Sequence, residues 1–206
     1  MAQYFSIHPD NPQPRLLRRA CDIVSQGGVI AYPTDSSYAL GCAIGDKQAM
    51  ERIRRIRQLD DGHNFTLVCR DLSDISTYAR FDNSIYRSLK ACTPGPYTFI
   101  LNATKEVPRR LQHAKRRTIG IRVPDFQLVS DMLGEYGEPL MSSTLILPGR
   151  DLPENDAEEI RERLERDVDL VIDAGPVDNQ PTTVVDCSGP VPEIVRVGAG
   201  DPSPFE

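Results

Sequence analysis

The sequence predicts an α/β fold in which helices are layered on a mixed β-sheet, as one domain running from residue 1 to 206. Three observations carry that expectation. Amphipathic helical segments and short apolar strands alternate along the whole chain. No internal repeat or linker interrupts them. At 206 residues the chain is long enough to bury a core without disulfide or metal staples.

The elements follow in order. Pro14 to Gln26 carries Leu17, Ala20, Cys21 and Val24 at helical spacing and stops at Gly27-Gly28. Val29 to Tyr32 reads as a buried strand closed by Pro33. Asp46 is placed to cap a helix over Lys47 to Arg57, with Met50, Ile53 and Ile56 facing inward. Phe65 to Cys69 is the next strand, and Asn83 to Ala91 the next helix. Pro94-Gly95-Pro96 is a turn before a strand over Tyr97 to Leu101. Thr118 to Val123 is a strand ended by Pro124, Phe126 to Tyr136 is helical, and Leu140 to Leu147 is extended. Asn155 or Asp156 caps an acidic helix to about Asp167. Strands over Leu170 to Asp173, Thr183 to Asp186 and Ile194 to Val197 complete the sheet.

Composition narrows the function. There is no Trp and aromatics are 6%, which argues against a surface of stacking platforms. No apolar run approaches the ~20 residues of a membrane span, and Met1 to Phe5 has no charged leader, so the expectation is a cytoplasmic protein with no membrane partner. Five widely spaced cysteines and three scattered histidines form no metal-binding pattern, and the cysteines read as free, buried thiols. The net charge of −6 disfavours non-specific nucleic-acid binding. The distribution is uneven, however. Seven basic residues and one acid lie between Lys105 and Arg122, whereas nine acids and three arginines lie between Asp151 and Asp169. Such runs are either solvated faces or a local site for an anion.

Three segments could carry chemistry, and none is a phosphate-binding glycine loop. Thr34-Asp35-Ser36-Ser37 follows directly on a strand, where α/β sheets favour ligands; an ordinary capped turn would look the same. Arg55-Ile56-Arg57 ends a helix ahead of His63-Asn64-Phe65-Thr66, and arginine suits bidentate binding of phosphate or carboxylate. A basic helix C-terminus complementing the dipole is the plainer account. Arg122 lies inside the apolar strand Thr118 to Val123, and a buried charge needs an acidic partner or an anionic ligand. Arg196, in Ile194-Val195-Arg196-Val197, poses the same question.

Together these segments resemble the YrdC/YciO family, and its YciO branch in particular, from about Gly28 to Gly200. Tyr32 to Gly41 is similar to the family's Pro-Thr-(Glu or Asp)-x-x-Tyr-x-Leu-Gly, and Arg55-Ile56-Arg57 to its Lys-x-Arg. Pro94 to Thr98 resembles Pro-Gly-Pro-x-Thr, Thr118 to Pro124 the strand with Arg-x-Pro, and Thr182 to Asp186 Ser-Thr-Val-Val-Asp. Arg196 falls on the arginine before the late glycine.

The resemblance implies a twisted mixed sheet flanked by helices with a concave, basic cleft. It also implies threonylcarbamoyl-AMP synthesis from ATP, L-threonine and bicarbonate, in the service of tRNA modification. On the same grounds Thr34, Arg122 and Thr182 would bind the amino acid. Arg55, Arg57, Thr144 and Arg196 would bind the nucleotide, with Arg55 and Arg57 in catalytic roles. Asp35, His63, Thr66 and Ser142 complete the candidate set. ATP is expected as substrate, bringing Mg²⁺ with it, and no resident cofactor or metal is expected. Arg55 replaces the synthases' lysine, His63 stands where a stronger base is common, and the Ser-x-Asn motif falls on Thr144-Leu145-Ile146. Ile146 cannot hydrogen-bond a nucleotide, so the expected activity is weakened or altered. The alternatives are a tRNA or double-stranded-RNA-binding protein that keeps the cleft, and related carbamoyl or acyl-phosphate chemistry on a different amino acid.

Overall fold

The computed structural model describes residues 1–60 and 63–206. It begins with β1 (Gln3–Ser6) and α1 (Pro14–Ser25), followed by β2 (Ile30–Pro33) and β3 (Tyr38–Ala43). Next come α2 (Lys47–Arg57), β4 (Thr66–Val68), α3 (Leu72–Tyr78), β5 (Ala79–Arg80) and α4 (Asn83–Cys92). The middle of the chain supplies β6 (Tyr97–Ala103), β7 (Thr118–Arg122), α5 (Gln127–Tyr136) and β8 (Leu140–Thr144). The last elements are α6 (Ala157–Leu164), β9 (Leu170–Asp173), β10 (Thr183–Asp186) and β11 (Glu193–Arg196).

Local chemistry explains several boundaries. Asp46 caps α2 by accepting from the Ala49 N–H, and Asp156 caps α6 by accepting from the Glu159 N–H. Gly137, at φ 83°, stops α5 in the left-handed region that glycine enters freely. Asp71 and Asp82 cap α3 and α4 in the same way as Asp46 caps α2.

Among the described residues all eleven strands join one mixed sheet, ordered β1-β9-β2-β3-β8-β4-β7-β6-β10-β11, with β5 on β6. The pairs β1–β9, β9–β2, β4–β7 and β6–β10 are parallel; β2–β3, β3–β8, β8–β4, β7–β6 and β10–β11 are antiparallel. The larger core lies on one face, where α2, α3, α4 and α6 bury Ile53, Ile75, Leu89 and Ile160 against Leu40, Leu67, Phe99 and Ile121. On the opposite face α1 and α5 bury Leu17, Val24, Leu128 and Met132 against Ile30, Tyr32, Leu170 and Ile172.

That second layer covers only part of its face. Side chains alternate along a strand, so Thr66, Thr98, Thr118, Gly120 and Val184 point away from the larger core, and neither α1 nor α5 covers them. They line an open hollow of about 170 Å³. A sheet with four helices on one face and two on the other leaves a stretch of strand surface bare, and the functional candidates gather at its margins.

Candidate functional site

The first margin is the loop after β2. Tyr32 is fully buried, and its hydroxyl lies 2.7 Å from Ser142 Oγ, two strands away on β8. The intervening residue is Gly41, paired directly with Ser142. A Cβ at position 41 would lie 2.8 Å from Tyr32 Cε1, so only glycine lets the ring cross β3. Ser142 Oγ also lies 2.9 Å from the Leu40 carbonyl, to which it donates. Its hydroxyl is therefore committed within the protein. Burial raises the Tyr32 phenol to about 12, so it stays protonated at neutral pH.

The chain then turns through Thr34-Asp35-Ser36-Ser37. Thr34 Oγ1 donates to the Ser37 carbonyl at 2.7 Å and accepts from the Ser36 and Ser37 N–H groups. These local bonds are the reason a β-branched hydroxyl residue sits at this turn. Asp35, by contrast, acts in this loop purely as an acceptor. Asp35 Oδ1 meets Arg122 Nη2 at 2.6 Å, and Oδ2 accepts from the Asp125 N–H at 2.9 Å. Both side chains are almost fully buried, at 6% and 10% exposure for Arg122 and Asp35.

Arg122 thus has the acidic partner that its place in an apolar strand demanded. Ser36 Oγ at 3.2 Å and Thr34 Oγ1 at 3.5 Å crowd the same Nη2. Its buried Nε has no hydrogen-bond partner among the described residues. A guanidinium held by one edge with a donor left over is primed for one further acceptor.

The second margin lies where β8 ends. Arg57, in the last turn of α2, donates to Ser143 Oγ at 2.6 Å and to the Ile146 carbonyl at 3.3 Å. Ser143 is paired with Leu40 and shares its parity, so this contact is on the helix-covered side of the sheet edge. Burial lowers the Arg57 guanidinium from its ordinary value, though arginine remains charged at any physiological pH. His63 is nearby. Burial, then the charges of Arg57 and Arg54, lower its pKa against a smaller opposing effect of Asp60. The ring is thereby less basic than an ordinary histidine. Its ring packs edge-on against Phe65 at 5.8 Å.

The third margin is β10 and β11. Arg196 Nε and Nη2 both donate to the Thr182 carbonyl, at 3.1 and 2.8 Å. Thr182 Oγ1 lies 2.7 Å from Thr98 Oγ1 on β6. The expectation that Arg196 is a buried charge is incorrect. β11 is an edge strand with a mostly exposed burial pattern, and Arg196 is exposed.

The candidates therefore form three contact groups: Thr34, Asp35 and Arg122; Arg57 beside His63; Thr182 and Arg196. Thr66 lines the hollow between them, and Thr144, half-buried, has the same open-face parity one strand away. Arg55 is separated from Arg57, because residues two apart on a helix point apart, and it is exposed with no partner among the described residues. Sequence reading missed Ser143 as the anchor of Arg57. The only available signal was its place beside Ser142, on the alternate face of the same strand.

The family model described as Sua5_yciO_yrdC, "Telomere recombination", matches residues 22–198. The chain belongs to the Sua5/YciO/YrdC family. Within it the chain is of the YciO subfamily: it is 58% identical to Escherichia coli YciO over the full length of both chains, and the crystal structure of that protein superposes with a TM-score of 0.97. A threonylcarbamoyl-AMP synthase of Vibrio vulnificus is 31% identical over 137 residues, covering 65% of this chain and 73% of that one. Pyrococcus abyssi Sua5, whose structure is complexed with L-threonine, shares the fold at 20% identity and a TM-score of 0.86. That match covers 95% of this chain and 57% of Sua5. The YrdC-like fold of family members is thus the one described above.

Proposed function

We propose that the bare sheet face is the floor of a cleft for ATP and a small amino acid, and that the chain is a threonylcarbamoyl-AMP synthase-like nucleotidyltransferase of weakened or altered activity. The observation that carries this reading is Arg122: a nearly buried guanidinium, paired on one edge with Asp35, whose Nε has no partner. A substrate carboxylate is the natural acceptor for it. Thr182, bonded to Thr98 at the rim of the hollow, and Arg196 beside it offer further polar contact, and Arg57 supplies positive charge at the other margin.

The chemistry requires no nucleophilic side chain. The amino group of threonine and bicarbonate combine to a carbamate with loss of water. A carbamate oxygen then attacks the α-phosphorus, and the bond to the β-phosphate breaks as pyrophosphate departs with the electron pair. Such a transfer needs positioning and charge neutralisation more than proton relay. Mg²⁺ belongs to the substrate as Mg-ATP, where it offsets charge on the phosphates. The chain's own part is to hold the carboxylate at Arg122 and the phosphates within reach of Arg57.

The test is pyrophosphate release by the full chain from ATP, with and without L-threonine and bicarbonate. Release is expected only when both are present, and Ile146→Asn, which restores an amide where the synthases carry one, is expected to raise it. Release that ignores threonine, or none in either protein, would overturn the reading.

A further inference from the structure

A second concavity lies beyond the opposite end of β6 and β7 from Arg122, with a volume of about 770 Å³. Arg80, Lys105, Arg109, Arg116 and Arg117 all contribute to its wall, and no acidic residue does. Its size is that of a small-molecule site. The two-residue strand β5 pairs Arg80 with Asn102, which carries that arginine to the same end of β6 as the basic run after it. Arg110 turns away and donates to the Gly45 carbonyl instead.

The loop that presents these groups is built rather than loose. His113 Nδ1 accepts from the N–H groups of Lys115 and Arg116, at 3.3 and 3.2 Å. The Arg117 N–H donates to the His113 carbonyl at 2.8 Å, and the Arg117 carbonyl accepts from Ala103 at 3.0 Å. Arg117 is thereby held at φ 53°, in the left-handed region that costs a non-glycine residue on the order of 1 kcal/mol. Arg116 is tied to Asp186 at 2.8 Å. The charged groups of Arg80, Lys105, Arg109 and Arg117 have no hydrogen bond or ion pair among the described residues. Four uncompensated cations around one hollow, on a protein of net charge −6, repel one another unless an anion joins them.

We propose that this groove is a second anion site, outside the cleft of Arg57 and Arg122, for a linear oligophosphate: pyrophosphate, tripolyphosphate or the phosphate tail of a nucleotide. Several separated cations suit an anion with several phosphates better than a single phosphate. The one aromatic residue in the wall is His113, so there is no row of platforms on which successive bases would stack. The acidic remainder of the surface disfavours a long polyanion. His113 and Arg116 also line the 170 Å³ hollow, so the two sites share a wall. The proposal does not depend on adenylylation at the cleft.

Calorimetric titration of the full chain with sodium tripolyphosphate tests it. Saturable binding is expected. The double variant Lys105→Ala/Arg109→Ala, whose altered side chains are exposed, is expected to bind about tenfold more weakly. Arg57→Ala, which weakens any phosphate binding at the cleft, is expected to keep the binding that Lys105 and Arg109 control. Titrating ATP into Arg57→Ala separates the sources. ATP binding there that weakens with the groove substitutions assigns the nucleotide tail, and ATP binding that ignores them assigns free oligophosphate. The proposal is overturned by three results: no binding of tripolyphosphate, undiminished binding by the double variant, or loss of binding in Arg57→Ala. It is equally overturned if a short single-stranded RNA binds through Lys105 and Arg109 and tripolyphosphate does not displace it.

Discussion

The chain carries two sets of cations, and they are housed in opposite ways. At the cleft, Arg122 and Arg57 are withdrawn from solvent and each is gripped by hydrogen bonds, Arg122 also by a carboxylate. In the groove, Lys105, Arg109 and Arg117 stand exposed, with no ion-pair partner among the described residues. Burying a charge costs several kcal/mol unless partners compensate, so the cleft cations are fixed in place and form part of the folded structure. The groove cations cost little to hold and can change without the fold noticing. The same residue type thus serves as architecture in one place and as loosely held charge in the other.

Substitutions can break or sharpen that contrast. The largest effect is expected for Arg122→Ala, which strands Asp35 in a buried position and is expected to cost about 3–5 kcal/mol of stability. Denaturant unfolding checks this, and a loss within experimental error would mean that the pair is not structural. Any threonine-dependent pyrophosphate release should fall on the order of a hundredfold or more in the same variant. Asp35→Asn keeps the shape of the side chain but removes the countercharge, and about 1–3 kcal/mol is expected. Tyr32→Phe deletes one bond to a Ser142 that keeps its contact with Leu40, so about 1 kcal/mol is expected in the same assay. By contrast Lys105→Ala and Arg109→Ala should leave stability unchanged within ~0.5 kcal/mol.

The pH dependence from His63 is smaller still, because the ring is only half-buried. Its folded pKa is lowered from the ordinary 6.5, so the unfolded chain takes up the proton first. The contribution is fully present above pH 6.5 and is lost as the pH falls below it toward the folded value. Arg57→Gln removes one of the charges that lower it, so the ring should titrate higher in that variant. Histidine NMR titrations of the two proteins would show the difference, and identical curves would remove Arg57 as a cause.

Much of this was legible in the sequence because it rests on local chemistry. The α2 helix begins after Asp46 and ends at Arg57 as its cap and apolar stripe predict, and β9 and β10 fall on their expected residues. What stayed hidden depends on distant neighbours. β3 follows at once on a polar turn and contains a glycine, so it read as part of a junction until β2 and β8 flanked it. The seven-residue α3 buries only Ile75 and has too short a stripe to announce itself. Gln3–Ser6 becomes a strand because β9 is there to pair with it. At the site, the demand of Arg122 for a partner could be read from its apolar surroundings, but not that Asp35 meets it. Nor does an arginine between valines reveal whether its strand is central or at an edge, and Arg196 proved to be at an edge. Convergence of Arg80 with a basic run some 25 or more residues further on is a property of the folded sheet alone.

The crossing of Tyr32 over Gly41 joins three positions on three strands into one heritable unit. A methyl at position 41 is incompatible with the tyrosine ring, and a smaller residue at position 32 leaves Ser142 without its phenol. Drift at any of the three is therefore expected to be compensated at the others. Across relatives, positions 32, 41 and 142 should change together or not at all, and Gly41→Ala should do less harm beside Tyr32→Ala than alone.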